Sequence, residues 1–232
     1  MSDQALKVPT HVGFIMDGNR RWARMHTIPD MDGHLSGYTA MKEVLEAAYD
    51  KGIQYVTLYA FSSENWSRQS KEVSGLMKLM VGAVAKDIDF LIKKGVRVVF
   101  LGRRTGLGDT VIAALDKAEA ATAKLTHATL AVCFNYGGKQ EIVDAVRGCM
   151  HEGLTAEQID EQAIADHLYA PDIPPIDIIV RTSGEHRLSN FMLWRAEYSE
   201  LYFLEKYWPD MTKEDVADII VEYNKRQRRF GG

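Results

Sequence analysis

The chain reads as an α/β protein, a single domain with a mostly parallel central sheet covered by helices. Three observations predict this. Apolar runs of strand length alternate with amphipathic helical segments along the chain. Polar segments follow the ends of those runs, where parallel sheets gather their ligands. A length of 232 residues suits one domain or at most two, and the linker-like stretch Pro171-Asp-Ile-Pro-Pro175 is too short to separate domains.

Taken in order, Val12 to Met16 is a buried strand. Tyr38 to Tyr49 is an amphipathic helix with Met41, Val44, Leu45 and Ala48 on one face. Gly52 breaks the chain before a second strand, Tyr55 to Ala60. A long helix runs from about Lys71 to Lys93 through Leu76, Leu79, Met80 and Val84, and Val96 to Leu101 is the third strand. Helix, strand (Thr129 to Phe134) and helix (Glu141 to Met150) follow. Thr155-Ala-Glu-Gln158 opens another helix with a capping pattern, and Ile176 to Val180 is a fifth strand. Residues 1–10 are expected to be a flexible N-terminus, 11–232 the folded unit, and 211–232 a C-terminal helix and tail.

Composition excludes several functions. A net charge of -4 gives no global field for nucleic acid, so an anion site must come from local Arg clusters. Cys133 and Cys149 are too few for a disulfide scaffold. The sequence lacks a Cys/His metal cluster, a GxGxxG turn, a Walker motif and a GxSxG elbow. No signal-like or membrane-spanning apolar run is present, so a soluble, cytoplasmic protein is expected, one still able to work at a membrane surface.

If the strands are parallel, Asp17, Ser62-Ser-Glu-Asn-Trp66, Asn135-Tyr-Gly-Gly138 and Arg181-Thr-Ser-Gly-Glu185 converge on one rim. Asp17 opens Gly18-Asn19-Arg20-Arg21-Trp22, an acid beside flexible backbone and two cations. That combination suits a diphosphate held with a divalent metal, the Asp for the ion and backbone N–H groups and Arg for phosphoryl oxygens. Arg181, Arg187 and Ser189 make a second diphosphate grip, with Glu185 either orienting an Arg or merely pairing at the surface. Glu200, among Tyr198, Leu201, Tyr202 and Phe203, is either a partner of Asp17 at Mg²⁺ or an exposed acid. His34 is a phosphate donor, a proton shuttle or a structural histidine.

These residues resemble a known family. Met16-Asp-Gly-Asn-Arg-Arg-Trp-Ala23, Gly33-His-Leu-Ser-Gly37, Leu58-Tyr-Ala-Phe-Ser-Ser-Glu-Asn-Trp66, Asn135-Tyr-Gly-Gly138 and Arg181-Thr-Ser-Gly-Glu-His-Arg-Leu-Ser-Asn-Phe191 are similar to segments of the cis-prenyltransferases, the bacterial undecaprenyl diphosphate synthases especially. The resemblance implies a Mg²⁺-dependent homodimer that extends an allylic prenyl diphosphate with isopentenyl diphosphate. It implies Asp17 and Glu200 at the metal, and Gly18, Asn19, Arg20, Arg21, Trp22 and His34 around the allylic diphosphate. Arg181, Arg187 and Ser189 would bind isopentenyl diphosphate. Ser62, Glu64, Asn65, Trp66 and Arg68 would position substrate, Asn65 as a catalytic group, while Arg229, Phe230 and Gly231 would reach across the dimer. An apolar tunnel is implied for the growing tail, with Leu58, Leu76, Leu79, Met80 and Val84 as candidates. Ordinary core packing predicts the same composition. A lipid product implies transient contact with a membrane surface.

Some positions depart from the family's pattern. Asp30 stands where an Arg usually grips the allylic diphosphate. Arg195 and Glu197 fall in a stretch usually free of charge, Gly102-Arg103-Arg104 replaces a Gly-Asp beginning, and Gln69 replaces a common Pro. A short-chain or branched, lavandulyl-type synthase, a non-catalytic partner subunit and a lipid-binding module are the alternatives.

Overall fold

Six strands, His11–Ile15 (β1), Tyr55–Ser62 (β2), Val96–Leu101 (β3), Ala128–Tyr136 (β4), Ile178–Arg181 (β5) and Glu200–Phe203 (β6), pair side by side in the order β3-β4-β2-β1-β5-β6. Every pairing is parallel, in a computed structural model that describes residues 6–226. β1 is buried along its whole length because helices cover both faces of the sheet. Val12 and Phe14 point into one core with Val56, Leu58, Ile178, Val180 and Trp208. Ile15 and Ile179 point into the other, with Cys133, Tyr136, Phe191 and Met192.

The connecting helices are Asn19–Met25 (α1), Asp30–Asp50 (α2), Ser70–Lys93 (α3), Asp109–Thr122 (α4), Gly138–His151 (α5), Glu161–Asp166 (α6) and Lys213–Lys225 (α7). α2 starts eight residues before the Tyr38 expected from periodicity. Gly33 and Gly37 weaken the helical pattern, yet α1 crosses here at a distance only glycine permits. A Cβ at Gly33 would lie 2.2 Å from the Asn19 carbonyl oxygen. The helix expected from Thr155 shrinks to a 3₁₀ turn, Ala156–Gln158, whose capping box is complete; α6 starts later, capped by Asp160, which accepts from Ala163 N–H at 2.8 Å. β5 starts two residues late because Ile176 N–H leaves the ladder to donate to the Arg195 carbonyl at 2.9 Å. β6 is a strand that the periodicity did not single out.

α3 is the loosest wall. Of its 24 residues only Val73 is buried, while Leu76, Met80, Val84, Ile88 and Leu91 are half-buried against the core beside it. At the N-terminal edge of the sheet, Lys7 exchanges hydrogen bonds with the Asn224 amide, and Thr10 N–H donates to Asp177 at 2.7 Å.

His11 is fully buried: Nδ1–H donates to the Pro174 carbonyl at 2.9 Å and Nε2 accepts from the Thr57 hydroxyl at 2.7 Å. Burial pushes its pKa down to about 4. The unfolded chain takes that proton near 6.5, so acid favours unfolding. Stability should fall by about 3 kcal/mol from this one group as pH drops from about 6.5 to 4. Urea unfolding across that range should show a shallower loss in His11→Asn than in the native protein.

Candidate active site

Arg181 ends β5 in register with Ile15 at the end of β1, and Asp17 follows two residues later. These neighbouring strands send their connections to opposite sides, which leaves a crevice beyond their carboxyl ends. The Arg181 guanidinium, 3% exposed, donates to Asp17 Oδ2 at 2.9 Å, to Ser189 Oγ at 2.9 Å and to the Arg187 carbonyl. The backbone of Asp17 is fixed as well. Its N–H donates to the Thr182 hydroxyl, whose own O–H returns to the Asp17 carbonyl at 2.6 Å, and Trp208 N–H donates to the same carbonyl. Gly18 turns the chain at φ 105°, and a Cβ there would lie 2.6 Å from Tyr207. Only glycine combines that dihedral with that approach.

A polar cleft of about 830 Å³ opens at this point. Asp17, Gly18, Asn19, Arg20, Arg21, His34, Ser62, Glu64, Asn65, Arg68, Arg181 and Ser189 all line it, so most of the residues chosen from sequence come together. Four chosen residues within the described part, Trp22, Trp66, Arg187 and Glu200, do not line it. Trp22 faces elsewhere, donating to Asp210 at 2.7 Å, with its ring 4.1 Å from that of His26 and tilted by 33°. Trp66 donates to Asn135 at 2.7 Å and meets Phe61 edge-on. Arg187 pairs with Glu185 outside the lining. Arg229, Phe230 and Gly231 lie outside the described residues.

Glu200 does not meet Asp17 within the chain. It starts β6 opposite Ile178, three strand residues short of Arg181, roughly 10 Å back along the sheet. There it pairs with Arg226 at 3.2 Å. The alternating pattern hid this because β6 is half-buried throughout and reads equally as a loop.

Each arginine of the cleft already has an acid. Arg21 reaches Glu185 at 3.1 Å and Asp17 at 3.5 Å, and donates to Ser183. Arg20 meets Asp30 at 3.2 Å and Glu72 at 3.4 Å, and Arg68 donates to Glu72 at 2.9 Å. Asp30, the unexpected acid, also holds Arg24 at 3.2 Å and does not line the cleft, whereas Arg24 does. Partial burial pulls the Asp30 carboxyl upward, but Arg24 and Arg20 hold it below the usual range. Its negative charge is thus spent on two cations at the rim.

Burial, reinforced by Arg68 and opposed by Glu72, lowers the His34 pKa, so the imidazole is mainly neutral near pH 7. Its Nε2 stands 3.4 Å from Glu72 Oε1 without a hydrogen bond. His34 Nε2, Asn19 Oδ1 and Arg181 Nε are buried without a partner, three polar atoms beside the cleft that a ligand or water would satisfy. Sequence reasoning did not choose Tyr59, Lys139 or Asn190 as site residues, yet all three line the cleft. Asn190 joins Glu64 at 2.9 Å to the start of α5, accepting from Gly138 and Lys139 N–H groups. Lys139 directly follows the Asn135-Tyr-Gly-Gly138 segment and Asn190 lies within the Arg181–Phe191 segment, a signal that was present.

Behind the cleft lies an apolar cavity of about 160 Å³ between α2, α3 and the sheet. Leu58, Leu76, Leu79, Met80 and Val84, the five tunnel candidates, all line it. Met16, Asn19, His34, Ala60 and Leu76 border both spaces.

Among the described residues no three His, Cys, Asp or Glu side chains gather as a metal cluster. Mg²⁺ does not require one, since it binds through one or two carboxylates together with phosphate oxygens and water. Asp17, 29% exposed at the cleft, is a donor of that kind. The residues present therefore fit Mg²⁺ brought with a diphosphate.

Comparisons with known proteins agree with this geometry. The family model described as "Putative undecaprenyl diphosphate synthase" matches residues 15–231. The isoprenyl transferase of Thermotoga maritima is 43% identical over 229 residues, 98% of each chain. That of Listeria innocua is 46% identical over 231 residues, covering 98% of this chain and 92% of its own. Lavandulyl diphosphate synthase from Lavandula x intermedia, solved with dimethylallyl diphosphate, superposes with a TM-score of 0.93 at 30% identity, covering 97% of this chain and 99% of its own. A "probable undecaprenyl diphosphate synthase" from Campylobacter jejuni gives 0.83 at 27%, covering 98% and 100%. With the sheet, the cleft and the family match in agreement over nearly its whole length, this chain belongs to the undecaprenyl diphosphate synthase-like cis-prenyltransferases.

Proposed function

We propose that the protein condenses isopentenyl diphosphate with an allylic prenyl diphosphate, head to tail and with a cis double bond, releasing diphosphate. One observation carries this reading. A cleft rich in Arg opens directly into an apolar cavity, sharing five border residues with it, as a molecule with an anionic head and a hydrocarbon tail requires. Arg20, Arg21 and Arg24, with the backbone at Gly18 and Asn19, hold the allylic diphosphate. Arg181, Ser189 and Arg187 hold the isopentenyl diphosphate.

In the reaction the allylic C–O bond breaks and its electron pair leaves with the diphosphate. The isopentenyl double bond attacks the allylic carbon and one proton is lost. Negative charge grows on the departing group, so Arg21 and Arg20 bind the transition state more tightly than the ground state. Mg²⁺, when bound through Asp17, supplies further charge neutralisation at the diphosphate oxygens. Asn65 is held by its turn, its Oδ1 accepting from Ser62 N–H at 3.1 Å, and its place in the cleft lining supports a role in positioning substrate.

A role for Glu200 at the metal needs a second copy of the chain, given its place on β6, and is part of a homodimer reading. Among the described residues no helix is long and apolar enough to cross a membrane. We assign the work to the cytoplasm, with passing contact to a membrane surface through the lipid product.

A branched, lavandulyl-type coupling of two allylic diphosphates is the second reading, favoured by the TM-score of 0.93. The isoprenyl transferases, at 43–46% identity, weigh more heavily than that structure at 30%. Purified protein with Mg²⁺, farnesyl or geranyl diphosphate and radiolabelled isopentenyl diphosphate should yield products longer than the primer and release diphosphate. Product from dimethylallyl diphosphate alone, with none longer than the primer, would establish the branched reading instead. Binding without diphosphate release would point to a lipid-binding module or partner subunit.

A further inference from the structure

Away from its mouth, the cavity lining is apolar except at one place. Asn19 and His34 belong to the border with the polar cleft; beyond them, among the described residues, the polar side-chain groups of the lining are the Trp208 indole N–H, which is taken up by the Gly37 carbonyl at 2.8 Å, the Tyr38 hydroxyl and the Asp87 carboxylate. Asp87 is also the only charged residue among the described residues of the lining. Tyr38 O–H donates to Asp87 Oδ2, and Lys42 Nζ stands 3.6 Å from Oδ1 and over the Tyr38 ring. Burial and the neighbouring carboxylate both push the Tyr38 pKa up, so the hydroxyl keeps its proton and remains a donor.

Position gives this cluster meaning. Leu76 borders the polar cleft, and Asp87 follows it eleven residues later on the same helix, about 16 Å along its axis. α3 has only one buried residue, and its half-buried apolar side chains, packed along the edge of the core, also wall this cavity. A hydrocarbon tail that starts at the cleft and follows α3 gains by burying each new unit against Leu79, Met80 and Val84. On reaching Asp87 it would have to strip a carboxylate of water, with no polar group of its own to offer.

We infer that Asp87, supported by Tyr38 and Lys42, is a specificity-determining residue that ends chain growth by polarity rather than by bulk. This rests on the elongation reading proposed above.

The test uses the difference between polarity and volume. Leu is larger than Asp, so a purely steric wall predicts shorter products from Asp87→Leu. A polar stop predicts longer ones, with the major product gaining at least one five-carbon unit. Product lengths would be sized for the native protein, Asp87→Leu, Asp87→Asn and, as a control, the exposed Asp89→Asn. Asp87→Asn keeps the size and the Tyr38 contact, so it guards against a Leu variant that fails to fold; it should shift products the same way by less. Asp89→Asn should match the native profile. Unchanged or shorter products from both Asp87 variants, with a native enzyme that elongates, overturn this inference alone. A native protein that makes nothing longer than its primer overturns the elongation reading and this inference together.

Discussion

Asp17→Ala should lower turnover about 10²–10³-fold while the protein remains folded, the size of effect seen when one group that stabilises developing charge is removed. The fold should survive because the backbone contacts of Asp17 to Ile15, Thr182 and Trp208 do not involve the carboxylate. Two things are lost at once. The cleft loses its hard oxygen donor, and Arg181 loses the acid that aims it, keeping only Ser189 and the Arg187 carbonyl. Asp17→Asn separates them, since the amide oxygen can still accept from Arg181 without carrying charge. Steady-state turnover with saturating Mg²⁺, alongside thermal melting, is the measurement. Turnover of Asp17→Ala within tenfold of native would remove Asp17 from the centre of the chemistry.

The largest effect on stability should come from a place remote from the cleft. Arg195→Ala would leave Glu141, only 1% exposed, as an unpaired carboxylate in the core. Breaking a buried pair in this way costs about 3–5 kcal/mol. Arg195 also donates to the carbonyls of Ile173, Tyr169 and Ala170; the first two lose their donor, while that of Ala170 keeps the Ile173 N–H at 3.1 Å. For a chain of this size the melting temperature should fall by roughly 10 °C. Replacing both partners, Glu141→Met with Arg195→Met, should recover much of the loss, because an apolar pair of similar volume carries no desolvation penalty. A loss below about 1 kcal/mol in Arg195→Ala would show that the pair is relaxed or hydrated.

What the sequence made legible follows from how each feature is encoded. The inner strands could be read because burial on both faces writes them as unbroken apolar runs, and parallel order then places Asp17, Ser62 and Arg181 on one rim. The start of α2 was not legible. Gly33 and Gly37 look like helix breakers until α1 is seen to pass over them. β6 is an edge strand with no fully buried position, so nothing in Glu200-Leu-Tyr-Phe203 marks its direction or its distance from Asp17. Arg195 stood out only as a charge in a stretch usually free of it, because its partner, Glu141, lies 54 residues earlier. Leu58 and Met80 could not be sorted between core and tunnel, since the same residues line a void or fill one. Asp87 gave no signal at all: on a helical face of mixed polarity, a carboxylate turned inward is spelled like one turned out.

The acid paired with every arginine in the cleft has a consequence for how substrates arrive. Such a pocket projects little net potential into solution, so long-range attraction contributes little to capture. Binding becomes an exchange of partners, in which each phosphoryl oxygen displaces a carboxylate that already occupies the guanidinium. A weak anion, with one charge to offer, gains nothing by that trade. A diphosphate does, because its several oxygens release several arginines together, and a divalent cation can take up the carboxylates set free. Near-neutrality thus acts as a filter, closing the cleft to monovalent anions and opening it to a metal and diphosphate that come together.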